Sequence, residues 1–395
     1  MVDNPPQPEP EAPANRAVDE PGPRFALAHD WLCGYRGGEA VLERIAALAD
    51  ELGEIDRLYT MFDDGRPLAP VTDSLSRCVS PLGGLPGTWR RWLLPAYPWA
   101  VRSLSRRLAS RQHRARVAIV ISTSSAAIKG LRAPPGVPHL CYCHAPARYV
   151  WSVPTEYQGG KRPTDHLRRI GLAAFGGAFK RWDRSTAANV TTFLANSSHT
   201  AAEIQRCFGR EAEVVFPPVR TAFFSPNPDV VREDFWLFAG ALEPYKRAEL
   251  AAKAATLAGA RLVIVGNGSM ESTLRGRVSD EELRDLYRRA RLLVFPQIED
   301  FGITAVEAQA CGCPVVAREL GGALDTVVSG TTGAFFTEAT PAAIAEAAAR
   351  CPNNPGACRT NAERFAEPAF KNAMRLHINA ALNRRHPALS PRARA

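Results

Sequence analysis

The chain has 395 residues, 46% of them hydrophobic and 23% charged, with a formal charge of +9. That length allows two domains with a core each, and the balance is that of a globular chain. No run approaches the roughly 18 apolar residues of a membrane span, and an acidic, Pro-rich start does not read as a secretory leader, so the expected setting is cytoplasmic.

Residues 1–23 hold seven prolines and five acids with almost no large apolar residue, which predicts a disordered tail. Residues 25–29 read as a first buried strand. Arg36, Gly37, Gly38 and Glu39 then lead into a helix with Val41, Leu42, Ile45 and Leu48 on one face. Further strand-like runs fall at 55–60, 117–121, 138–143, 191–195 and 213–216, with helical patterns between most of them. Such alternation predicts a parallel sheet covered on both faces. Pro217, Pro218, Pro226 and Pro228 interrupt the pattern and mark an interdomain linker. A second series has strands at 235–239, 262–265, 292–295 and 314–317, with helices from about 245, 280 and 303. An Ala-rich helical segment over about 355–383 and a basic tail follow. The expected layout is a tail (1–23), two Rossmann-like α/β domains (24–217 and 218–365) and a C-terminal helix with tail (366–395). Ligands of doubly wound sheets bind at the carboxyl ends of the strands.

One such end carries the most informative residues. After the strand at 292–295 come Glu299, Asp300, Phe301, Gly302 and Ile303, then a helix with Glu307 about one turn in. A helix N-terminus offers unpaired N–H groups and a positive dipole end, which suits a phosphate. An anion site flanked by two hydroxyl-binding carboxylates describes a receptor for a sugar joined to a nucleotide. Lys246 and Arg247 open another helix, where cations are disfavoured unless an anion sits there; a solvated pair is the alternative. Gly266 opens a Gly-x-Gly turn after 262–265 that is either near a nucleotide or only a tight turn. Gly37 and Gly38 allow close approach of backbone to a ligand, or form a plain strand-to-helix turn. His144 follows a strand, where a histidine is either structural or a hydrogen-bonding partner for a sugar.

The Glu-x7-Glu spacing with Phe-Gly-Ile after the first acid, followed by residues 311–317 (Cys-Gly-Cys-Pro-Val-Val-Ala), resembles the signature of the retaining family-4 glycosyltransferases. Residues 29–32 (His-Asp-Trp-Leu) and 141–151 (Cys-Tyr-Cys-His-Ala-Pro-Ala-Arg-Tyr-Val-Trp) are similar to the polysaccharide and O-antigen mannosyltransferases of that family. The resemblance implies a GT-B fold of two facing Rossmann-like domains. It also implies transfer of a hexose, mannose first, from a nucleotide diphosphate sugar to a glycan or lipid-linked acceptor. Lys246, with Arg247 and the amides of Phe301, Gly302 and Ile303, would hold the diphosphate. Glu299 would orient the sugar, Glu307 would bind the ribose, and His144 would act in the cleft. Many members carry Arg where this chain has Ala241, and the 269–277 segment is short, so a non-catalytic nucleotide-sugar-binding or glycan-binding protein of the same fold is the rival.

No Asp-x-Asp occurs, so no metal and no other cofactor is expected beyond the nucleotide sugar as co-substrate. The nine cysteines lack zinc-knuckle spacing and read as buried thiols. Basic and aromatic residues interleave over 88–114, with more basic residues at 161–182. They suit an anionic membrane surface or a solvated Arg-rich helix face. No zinc finger or RNA-binding signature is present, and nucleic acid is not an expected partner.

Overall fold

The computed structural model describes residues 22–85, 89, 92–151, 163–266, 276 and 278–385, the side chains of 163–174 and 385 excepted. Most of the Pro-rich tail, Arg90, Arg91, Lys161, Arg162, most of the 269–277 segment and the basic C-terminal tail lie outside the described residues.

The first sheet comprises β1 (Arg24–Leu32), β2 (Glu54–Asp63), β3 (Arg77–Val79), β4 (Ile119–Ser124), β5 (His139–Cys143), β6 (Thr192–Ala195) and β7 (Ala212–Val214). All pairings are parallel, in the order β3-β2-β1-β4-β5-β6-β7. Its helices are α1 (Gly37–Leu52), α2 (Pro70–Asp73), α3 (Tyr97–Ala115), α4 (Arg148–Trp151), α5 (Pro163–Thr186) and α6 (Ser198–Phe208). The second sheet comprises β8 (Phe235–Ala239), β9 (Arg261–Val265), β10 (Leu292–Phe295), β11 (Val315–Arg318) and β12 (Gly333–Phe336), parallel in the order β12-β11-β10-β8-β9. Its helices are α7 (Ala248–Leu257), α8 (Asp280–Arg289), α9 (Ile303–Ala310), α10 (Ala323–Thr326), α11 (Pro341–Ala349) and α12 (Pro355–Glu363), and α13 (Glu367–Arg385) is the last described helix.

Alternate residues of each central strand feed separate cores on the two faces, which is why these strands read as unbroken apolar runs. In β1, Phe25 and Leu27 pack with Val41, Leu42 and Ile45 of α1, while Ala26 and Ala28 pack with Leu104 and Leu108 of α3. In β8, Phe235 and Leu237 meet Leu286 and Val306, while Trp236 and Phe238 meet the alanines of α7 and Ile344. Strand order reverses between β1 and β4 in the first sheet and between β8 and β10 in the second. At such a reversal adjacent crossovers leave on opposite faces, opening a crevice at the strand ends.

Three features depart from the sequence expectation. β3 and β12 are short edge strands that the hydrophobic pattern did not mark. The helical stretch expected over 355–383 is two helices, broken where Phe365 turns inward against the rings of Phe216 and Phe301. Beyond the break, α13 returns to the first domain. Phe370, Met374 and Ile378 join the cluster of Phe25, Leu27 and Leu42, and Tyr142 meets Phe370 edge-on at 5.8 Å. The two crossings between domains touch, since Val219 donates its amide to Phe365 O at 2.9 Å. Met374 is fully buried. Met374→Ala is therefore expected to remove roughly 2–5 kcal/mol from the first domain, read as a lowered calorimetric transition that leaves the second domain's unfolding in place.

Candidate functional site

At the reversal of the second sheet, β8 and β10 deliver their loops side by side. Gly240 follows β8, and its carbonyl packs against Gly266, which follows β9; a Cβ on Gly266 would lie 1.7 Å from that oxygen. Gly266 also donates its amide to Gly276 O at 3.3 Å, so its glycine is required by backbone packing alone. The loop after β8 forms a 3₁₀ turn, Pro244–Lys246, and Arg247 caps α7 with a left-handed φ of 57°. Lys246 thus lies in the turn before the helix, and only Arg247 occupies the helix start. A left-handed arginine costs on the order of 1–2 kcal/mol, so local strain is stored beside the crevice.

Lys246 Nζ is ion-paired with Glu299 Oε1, and the two side chains are only 16% and 17% exposed. Glu299 is held there by its backbone. Gly321 and Gly322 lie against residues 299–301, with Gly322 donating to Glu299 O at 2.8 Å. A Cβ on Gly322 would come within 2.4 Å of Phe301 Cα and 2.5 Å of Asp300 O. Phe301 is buried between Phe216 and Phe365, and Gly302 caps α9 with a φ of 94° beneath the Phe295 ring. The N-terminal amides of α9 therefore emerge beside Glu299. Glu307, one turn further along, faces Arg220 and Asp280, which pair at 2.9 Å. Burial pushes its carboxyl up to about 8, against the pull of Arg220.

The first domain supplies the opposite wall. Glu39 accepts from the Arg36 amide at 3.1 Å and so closes the first turn of α1. A Cβ on Gly37 would stand 3.4 Å from Ile303 Cδ1, so this glycine turn faces the N-terminus of α9. A Cβ on Gly38 would stand 3.6 Å from His29 Cε1 and 3.7 Å from His144 Nε2. His29 Nδ1 shares a 2.6 Å hydrogen bond with Thr123 Oγ1, and its Nε2 lies 3.9 Å from Glu39 Oε1. His144 Nε2 is buried without a hydrogen-bond partner in the protein. Burial, with His29 nearby, lowers its pKa to about 3, so the ring is neutral at ordinary pH. Asp30, fully buried, accepts four amides from residues 125–128 at 2.6–2.9 Å and fixes the loop after β4.

The structure thus brings Lys246, Glu299 and residues 301–303 together, with Gly37, Gly38 and His144 across from them. Glu307 lies further along α9, Arg247 at the start of α7, and Gly266 at the neighbouring strand end. Four residues that help to build the site were given no role from sequence. Gly321 and Gly322 carried only the general signal of a Gly pair in a loop, Arg220 lies in the linker, and Asp300 pairs with Arg148 from the first domain. Tyr97, read with the basic surface, is instead buried against Phe62 and Phe179. Arg107 and Arg111 of the same stretch are tied to Val79 O and Asp56, whereas Trp89, Trp92 and Trp99 are exposed. Among the described residues, no group of three or more His, Cys, Asp or Glu is placed to hold a metal ion, and no helix is long and apolar enough to cross a membrane.

Two parallel α/β sheet domains, their strand ends facing one crevice, define the GT-B class. Residues 35–223 match the family described as Glycosyltransferase Family 4, and residues 233–354 the family described as Glycosyl transferases group 1. The two matches follow one another along the chain, each over one of the two sheet domains. It is 29% identical over 213 residues to the D-inositol 3-phosphate glycosyltransferase of Pseudarthrobacter chlorophenolicus, across 45% of this chain and 48% of that protein. The chain spans about half the length of the curated relatives it matches. By structure it resembles a sucrose-phosphate synthase from Thermosynechococcus elongatus, with a TM-score of 0.66 and 16% identity over 92% of this chain and 100% of that one. An Anabaena protein in complex with UDP has a TM-score of 0.64 and 15% identity, over 91% and 100% of the two chains.

Two measurements check this geometry. Gly322→Ala forces a methyl into the 299–301 backbone and is expected to lower stability by roughly 1–3 kcal/mol, read as a fall in thermal midpoint. Glu307 has a folded pKa of about 8 against a reference of 4.5, so the folded state holds the extra proton between those values. The stability it contributes is present below that window and is lost as pH rises through it. Glu307→Gln should flatten the urea-midpoint slope between about pH 5 and about pH 8 relative to the parent, and identical slopes would contradict the assignment.

Proposed function

We propose that the chain is a retaining glycosyltransferase that moves a hexose, mannose from GDP-mannose in the first instance, from a nucleotide diphosphate sugar to a glycan or lipid-linked acceptor without a metal. The observation that carries this reading is the meeting of Lys246, Glu299 and the start of α9 at the strand reversal of the second sheet. The diphosphate binds Lys246 and the amides of residues 301–303, with Arg247 alongside, so its leaving charge is met by fixed donors that need no reorganisation. Glu299 then takes the sugar hydroxyls, and Glu307, protonated at neutral pH, both donates to and accepts from the ribose hydroxyls. His144, neutral and with one ring nitrogen unpaired, hydrogen-bonds the sugar from the first domain. In the transfer the bond from the anomeric carbon to the phosphate oxygen breaks and a bond to the acceptor oxygen forms on the same face. The hydroxyl proton leaves toward the departing phosphate.

The relatives' name favours a second acceptor, an inositol phosphate, within the same chemistry. A lipid-linked acceptor is favoured by the exposure of Trp89, Trp92 and Trp99 and of Arg102 and Arg106 in the same stretch of chain, a composition that suits an anionic membrane surface. Nine free thiols suit the reducing cytoplasmic side of such a membrane.

Incubation with radiolabelled GDP-mannose or UDP-glucose, in separate reactions with a lipid-linked acceptor pool and with D-inositol 3-phosphate, tests the reading. Transfer is expected from one donor, and Lys246→Ala should lower kcat by roughly 10²–10³-fold. Donor binding without transfer, unchanged by Glu299→Ala, would identify a binding protein instead. In liposome flotation, combined replacement of Trp89, Trp92 and Trp99 by Ser is expected to abolish recovery with anionic vesicles; unchanged recovery removes the membrane from the proposal.

A further inference from the structure

The two sequence segments that stood out in the separate halves, 141–151 and 296–308, are joined across the crevice. Arg148, from α4, makes a two-pronged ion pair with Asp300, its Nε lying 3.1 Å from Oδ1 and its terminal nitrogen pairing with Oδ2. Asp300 is the immediate neighbour of Glu299. The other groups facing it are Glu299 itself and His199, from the first turn of α6. A second contact lies close by: Asp325, in α10, accepts the Ser198 amide at 2.8 Å, so an acid of the second domain caps a helix of the first. Each contact sets a carboxylate of the second domain against a positive feature of the first, a guanidinium in one case and a helix N-terminus in the other.

The turn bearing Arg148 is itself anchored. Its last residue, Trp151, donates its indole N–H to Asp183 Oδ2 at 2.7 Å. Asp183 is fully buried and ion-paired with Lys129 at 2.7 Å, and Lys129 also donates to Asp183 O and Thr186 Oγ1. The ammonium stands 4.2 Å from the Phe208 ring centre. A four-residue helix has little stability of its own. Here a buried ion pair fixes one end of the turn, and the other end grips the loop of Glu299.

We infer that Arg148 and Asp300 are positioning residues. They hold the Glu299 loop from the opposite domain, so that the sugar-facing carboxylate takes its working place only when the crevice is closed. Neither residue needs to touch the reacting atoms, and the coupling runs through one peptide bond. The kinetic part of this inference rests on the transferase reading, whereas the closure part stands without it.

Small-angle scattering of the donor-free protein reads closure directly. Arg148→Ala and Asp300→Ala are each expected to enlarge the radius of gyration at low salt, with high salt moving the parent toward the same value. Arg181→Ala, at an exposed arginine of α5, should change nothing. The exchanged pair Arg148→Asp with Asp300→Arg should return the parent dimensions, which a merely misfolded variant would not do. With an active donor and acceptor, Arg148→Ala should lower kcat by about tenfold or more while the donor Kd stays within about twofold, and Arg148→Lys should recover part of that loss. Unchanged scattering in both single variants would overturn the closure claim. A parallel loss of donor affinity and kcat, without recovery in Arg148→Lys, would overturn the positioning claim. Absence of any transfer by the parent would instead sink the transferase reading and leave the scattering result intact.

Discussion

Residues 299–301 owe their path to a contact between two stretches of backbone. Gly321 and Gly322 press against the carbonyls of Glu299 and Asp300 and against Phe301 Cα, at separations no side-chain-bearing residue would allow. The hydrogen bond from Gly322 to Glu299 O fixes the register of that contact. Several other features follow from it. Phe301 is directed into the aromatic cluster, Gly302 adopts the positive φ that starts α9, and the side chains of Glu299 and Asp300 diverge toward Lys246 and Arg148. A loop free to wander by an ångström would lose all of these together, because all of them depend on one backbone path.

The same loop lies beside the crossings between the domains. Phe216, on the way out of the first domain, and Phe365, on the way back, both pack on Phe301. Val219 and Ala366 pair next to them. Relative rotation of the domains about these crossings would be felt first by the Phe301 ring and so by the start of α9. α13 reinforces this by burying Phe370, Met374 and Ile378 in the first domain's core, which makes the return crossing as firmly rooted as the outgoing one. The first domain as a packed body therefore includes α13, although its sheet ends near residue 214.

How far this was legible in the sequence follows from the range of the forces involved. Glu299, Phe301, Gly302 and Glu307 were readable because a strand, a loop and a capped helix are local patterns, and chemistry placed at a strand end is visible without knowing what faces it. The central strands were readable for the same reason, each being an apolar run buried on both sides. β12 starts with a glycine and ends in two phenylalanines, too short a pattern to separate from a turn. β3 buries only Cys78 of its three residues. Nothing local announces that Phe365 breaks the final helix, since the reason is an aromatic contact with residues 64 and 149 positions away. The pairing of Arg148 with Asp300, 152 positions apart, lies beyond any local pattern, though both segments were distinctive on their own.

The charges of the crevice give the arrangement its electrostatic logic. Lys246 pairs with Glu299, Arg148 with Asp300 and Arg220 with Asp280, so the crevice is neutralised pair by pair, while burial keeps Glu307 and His144 uncharged at neutral pH. Removing one partner of a buried pair is costly because the other is left uncompensated. Under the proposed function, an arriving nucleotide sugar avoids that cost for the central pair. Its diphosphate replaces Glu299 at Lys246, and its sugar hydroxyls receive the carboxylate thus released. A free nucleoside diphosphate satisfies only the first exchange and leaves Glu299 without a partner, whereas a free sugar offers hydroxyls to a carboxylate still held by lysine. The pair therefore favours the whole donor over either of its halves, which is the discrimination a transferase needs before its acceptor arrives.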